Sequence, residues 1–154
     1  MSHDIEPLQA DLWFERIALI ASGRFGSLDK CLRHAAHLVQ LAPAVLRVAV
    51  GYPPSESKLE ALLQAEDFDD AARHLVRPGS LSVQARAGQL AEARIACPIL
   101  DCEIKGVGDT VATAILDAWT THLLALRTEC EAGLLNPGSR APRKSRSEQD
   151  RQWH

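Results

Sequence analysis

The chain has no hydrophobic run near the ~18 residues a membrane span needs, so no transmembrane segment is expected. Its opening, MSHDIEPLQADLW, puts acids early and no cationic stretch ahead of an apolar one. A secretory signal is therefore not expected, and a cytoplasmic location of bacterial type is. Catalytic signatures are missing too: there is no Gly-x-Ser-x-Gly, no His-Glu-x-x-His and no Gly-Lys-Ser/Thr. The four cysteines, Cys31, Cys97, Cys102 and Cys130, sit among apolar neighbours. Cys97 and Cys102 are spaced more widely than a zinc-knuckle pair, and no second pair follows. The cysteines are expected to pack as buried thiols, with no structural metal and no cofactor.

What is present suits one compact domain with a tail. The 154 residues are 46% hydrophobic and 24% charged, enough to build a core. The net charge of −3 is unevenly spread. Arg140, Arg143, Lys144, Arg146 and Arg151 against Glu148 and Asp150 give residues 136–154 a charge of +3, which leaves −6 on residues 1–135. An acidic body argues against a broad nucleic-acid footprint. The tail is rich in Pro, Gly, Ser and charge without apolar periodicity and is expected to be disordered.

Helical periodicity dominates as far as residue 76. A helix is expected over about 7–21, stopped by Gly23 and Gly26. A second follows with Ser27 as its cap, its stripe formed by Leu28, Cys31, Leu32, Ala35, Leu38, Val39 and Ala42. Pro43 ends it or opens a short helix through residue 50. Ser55 caps the next, and Glu66, Asp67, Asp69 and Asp70 suit the start of another through helix-dipole complementarity.

After Gly79 the period changes to two. Leu81–Ala87, Ala91–Ile99 and Leu100–Ile104 read as three antiparallel strands, with Gly88-Gln89 as the first turn and Pro98 ending the second strand. A long helix from Thr110 to about Ala132 covers their apolar face. The expected class is α+β: a helical part over about 7–76, then a β-meander with a long helix over about 80–132. Gly106-Val107-Gly108-Asp109 reads as the turn that starts this helix. A dinucleotide loop is excluded by Val111 at the third glycine position and by the acid at the helix start.

Residues 67–132 follow the element order of double-stranded-RNA-binding domains, which they resemble in layout. Those domains grip phosphate with lysines at the start of the second helix, where Asp109–Ala114 carries no cation. Residues 36–63 resemble a repressor-type helix-turn-helix through Ala36, Gln40, Leu41, Pro43 and Leu46. That resemblance implies DNA contact by Arg47, with Arg140, Arg143, Lys144 and Arg146 of the tail adding a salt-dependent arm.

Four side chains could carry chemistry. Cys31, His34 and His37 lie three residues apart on one helix, but they spread over about 120° of its surface and do not converge on one ion unaided. His122 borders the core on the last helix and would need a partner to act as acid or base. The leading expectation is a small non-catalytic protein, a regulator or accessory subunit, acting through protein contacts as a homodimer or with a partner. A nucleic-acid-associated regulator is the alternative. An enzyme or ligand-binding module using His122, or Cys31 with His34, is the second.

Overall fold

The computed structural model describes residues 9–24, 26–50, 55–76, 79–97 and 100–131, with side chains at 45, 48, 49, 130 and 131 left aside. The expected tail, and the first helix's start before residue 9, lie outside these residues. Helix α1 (Ala10–Ala21) buries Trp13, Phe14, Ile17 and Ile20. Helix α2 (Leu28–Gln40) starts where Ser27 Oγ accepts the Lys30 amide at 3.2 Å. Its apolar stripe packs on α1, and the Trp13 indole N–H donates to the buried Leu38 carbonyl at 2.8 Å. Pro43 begins a 3-10 turn (Ala44–Leu46) that runs into the four-residue α3 (Arg47–Val50).

Helix α4 (Glu56–Gln64) follows Ser55, and α5 (Phe68–Arg73) follows Asp67. Between them Glu66 sits at φ 56°, the left-handed conformation usually left to glycine at a helix C-terminus. The acidic cluster therefore divides its work. Asp67 accepts the Asp70 amide at 3.4 Å and caps α5, whereas Asp69 reaches 43 residues ahead to accept the Ala112 amide at 2.9 Å.

Strands β1 (Leu81–Gln84), β2 (Ala91–Cys97) and β3 (Cys102–Gly108) form an antiparallel sheet in the order β1-β2-β3. The first strand ends earlier than its alternation suggested, and Leu100 lies in the turn, where Asp101 takes φ 52°. Ala91, Ala93, Ile95 and Cys97 are buried on the inner face. On the outer face Arg94 stands directly opposite Lys105, and their like charges are relieved by Glu92 and Glu103 on the neighbouring positions.

The long helix α6 (Val111–Glu131) lies under this sheet, with α1 and α5 against it as well. Burial runs about 240° around it, since Ala114, Ala118, His122 and Leu126 form one stripe and Ala112, Leu116, Trp119 and Leu123 another. The architecture is α+β, a three-stranded antiparallel sheet packed against a C-terminal helix.

Gly106 and Gly108 do not form a turn. They belong to β3, and a Cβ at Gly106 would lie 2.2 Å from the Ala118 backbone nitrogen. One at Gly108 would lie 2.7 Å from the Ala114 nitrogen. Their lack of a side chain lets strand and helix backbones touch. The helix start is made instead by Thr110 and Thr113, whose hydroxyls accept each other's amides at 3.2 and 3.0 Å, together with Asp69.

Gly106→Ala is expected to destabilise the fold by ~3 kcal/mol or more, because backbone rather than a movable side chain blocks the methyl. Gly88→Ala, in open space at φ +76°, should cost only about 1–2 kcal/mol. Urea unfolding of the two variants checks the contrast.

Candidate functional sites at the end and edge of the sheet

The stripe that seats α6 on β3 continues one turn past Ala118 to His122. There the imidazole, 7% exposed, meets the far end of β2. His122 Nε2 lies 3.1 Å from Cys97 Sγ, and Cys97 is 1% exposed. Burial lowers the His122 pKa from the ordinary histidine value, so the ring is held neutral. A neutral ring with hydrogen on Nδ1 presents a lone pair at Nε2 that can take the thiol proton.

Across the hairpin the register sets Cys102 directly opposite Cys97. Alternation puts both side chains on the same sheet face. Unlike Cys97, Cys102 is exposed, because it opens β3 at the hairpin end. The sequence expectation of uniformly buried cysteines is corrected at this position. Cys130 lies outside the described side chains.

The other candidate residues are dispersed. Cys31 is buried, and desolvation pushes its thiol pKa up, the opposite of an activated nucleophile. It lines a cavity of about 280 Å³ beside the α1–α2 turn and α6, together with Leu28, Leu116 and Asp117. His34 is half-buried, and its pKa is lowered first by desolvation, then by Arg16 and His37.

His37 is exposed and lines a cleft of about 520 Å³ between α2 and α4 with Gln40, Glu56 and Glu60. Arg33 on its rim is paired with both Asp29 and Glu60. Arg47 is exposed on α3, and Arg140, Arg143, Lys144 and Arg146 lie outside the described residues. Among the described residues no three His, Cys, Asp or Glu side chains gather as metal ligands. No helix among them is long and apolar enough to cross a membrane.

The sheet edges differ from each other. The Ala96 amide donates to the Ser80 carbonyl at 2.9 Å. Hydrogen-bonded pairs alternate along an antiparallel ladder, so Ser82 and Gln84 bond toward β2 while Leu81 and Val83 turn their amides and carbonyls outward. By the same alternation Val107 points outward from β3, and there its amide donates to Asp117 Oδ2 at 2.9 Å. The last outward amide of the β3 edge is thus taken by α6, and Glu103 and Lys105 put charge at its other outward positions. Along β1, Leu-Ser-Val-Gln offers neither charge nor proline to blunt the other edge.

No family model matches the chain, and neither the curated proteins nor the solved structures compared with it give a match.

Sequence reasoning reached His122 but not its partner. The two residues are 25 positions apart, a separation without periodic meaning, and only the pairing of α6 with the end of β2 joins them.

Buried His122 and half-buried His34, each with its pKa lowered chiefly by desolvation, should make stability depend on pH. The unfolded chain binds protons below the ordinary histidine value of ~6.5 that the folded chain does not, so stability falls as pH drops through that value. The slope is at most about 1.4 kcal/mol per pH unit for each histidine. Urea titrations between pH 7.5 and 5.5, on the ~6.5 scale of free histidine, should show this loss. His122→Gln and His34→Gln should each flatten part of it.

Proposed function

We propose that the protein is a non-catalytic regulator or accessory subunit that acts through protein–protein contacts, and that the contact forms along the open edge of β1. The asymmetry of the two sheet edges carries this reading. With the Val107 amide taken and charges at Glu103 and Lys105 on the β3 edge, the uncharged β1 edge is the place where outward amides and carbonyls can add a strand. Leu81 and Val83, half-buried on the inner face, would complete their burial against a partner's inner face, while Ser82 and Gln84 stay in water.

A second copy of the chain is the simplest occupant. Two β1 strands meeting antiparallel about a two-fold axis make a six-stranded sheet in which each open edge satisfies the other. The outer face of the sheet is an unsuitable alternative, since Glu92, Arg94, Glu103 and Lys105 keep it solvated.

Val83→Pro tests the reading at one atom. Its N–H takes no part in the β1–β2 ladder, so the variant should lose less than about 1 kcal/mol of stability while losing self-association. Ser82→Pro removes a ladder amide and should cost ~3 kcal/mol or more. Sedimentation velocity over a concentration series should show a dimer for the natural sequence and a monomer for Val83→Pro. A natural sequence that stays monomeric at the highest concentration reached overturns the second-copy reading.

A further inference from the structure

We propose that Cys97 and Cys102 form a reversible dithiol–disulfide pair that exchanges with low-molecular-weight disulfides, with Cys102 as the entry thiol and His122 as proton acceptor for Cys97. The inference does not depend on the β1 contact and stands on the geometry of the hairpin end. Ala96 bonds toward β1, so its neighbours on β2 bond toward β3. Cys97 and Cys102 are therefore a hydrogen-bonded pair, whose Cα atoms are ~5.5 Å apart in a regular ladder. That separation lies inside the range a disulfide spans, about 4.4–6.8 Å. Three groups with distinct roles meet here: an exposed thiol, a buried thiol and a buried imidazole 3.1 Å from the buried sulfur.

The chemistry balances in two displacements. The Cys102 thiolate attacks one sulfur of a disulfide RSSR; the S–S bond breaks, one RS⁻ leaves and takes up the proton Cys102 had lost. The protein then carries a Cys102–S–S–R mixed disulfide. Cys97 passes its proton to His122 Nε2 and attacks Cys102 Sγ, expelling the second RS⁻, which takes the proton from the imidazolium. Two protein thiols are oxidised to one disulfide, and RSSR is reduced to two RSH. A dithiol reductant reverses the sequence.

Burial of Cys97 explains the order, because a bulky disulfide reaches Cys102 first. The bond should also be readily reduced. Residues directly opposite on a ladder hold their Cβ atoms ~4.5–5.5 Å apart, and a disulfide draws them to about 3.5–4.5 Å. Oxidation also removes the thiol proton from the buried His122–Cys97 contact, a loss that favours return to the dithiol.

The test equilibrates the full-length chain with mixtures of oxidised and reduced glutathione, followed by intact mass and peptide mapping. The expected product is a Cys97–Cys102 linkage with loss of two hydrogens, reversed by dithiothreitol. Cys97→Ser should stop at a glutathione adduct on Cys102, and Cys102→Ser should leave Cys97 unmodified. His122→Gln should slow the second displacement by roughly a hundred-fold at neutral pH, the low end of general-base contributions. Its mixed disulfide should therefore accumulate, and the rate should recover as pH rises past the ordinary thiol value of ~8.5. Three results overturn the proposal: a natural sequence that stays reduced in every mixture, one that halts at the Cys102 adduct, or a linkage to Cys31 or Cys130 instead. Should His122→Gln fail to fold, the two serine variants still decide between these outcomes.

Discussion

The contact between Gly106 and the backbone of Ala118 is the constraint on which the rest of the structure depends. Helix and strand backbones can touch only where the strand is stripped of bulk, and here Gly106 lies against Ala114 and Ala118 and Gly108 against Thr113 and Ala114. That closeness lets Asp117, one residue from Ala118, reach the outward amide of Val107 near the end of β3. It also lets a helix buried over most of its circumference serve two layers, the sheet on one side and α1 with α5 on the other. Polar groups on such a helix need local partners. Thr120 meets this by donating to the Leu116 carbonyl at 2.9 Å, and the Ala112 amide meets it through Asp69.

Specific polar links add to the packing that holds the helical half together and against α6. Trp13 bonds the end of α2, and the Arg127 guanidinium of α6 lies 5.7 Å from the Phe14 ring centroid. Asp69 bonds α5 to the start of α6. The first of these lies within the first 76 residues, and the other two tie those residues to α6. The two halves of the sequence therefore share one core rather than forming two.

Much of this was legible in the chain because side-chain periodicity records burial. The α2 stripe, the Ser27 cap and the alternation of Ala91 through Cys97 each bury what their pattern promised. Gly106-Val107-Gly108 was misread for a physical reason. Glycine contributes no apolar signal to a period-two pattern and resembles a turn, so only the helix lying on it reveals a strand. Asp69 does stand in the acidic first turn of α5, but its bond to the Ala112 amide could not be read because that partner is 43 residues away. The buried thiol–imidazole contact left no trace for the same reason. Yet once the hairpin is placed, the register pairing Cys97 with Cys102 follows from the four residues between them.

The two ends of the sheet are unequal, and this bears on how its chemistry and its surface could communicate. At the glycine end the strand is clamped to α6, so a strain introduced at Cys97 and Cys102 cannot be relieved there. It must be absorbed by the hairpin turn, where Asp101 already holds a left-handed backbone, or passed sideways through the ladder. The sideways route is short. Ala96, adjacent to Cys97, donates to the Ser80 carbonyl, and Ser80 leads into Leu81, the first outward-facing residue of the open edge. Any movement of Cys97 toward Cys102 thus acts on the β1 backbone through one hydrogen bond. A sheet clamped at its glycine end directs the consequences of a small covalent change toward the β1 corner that is left open.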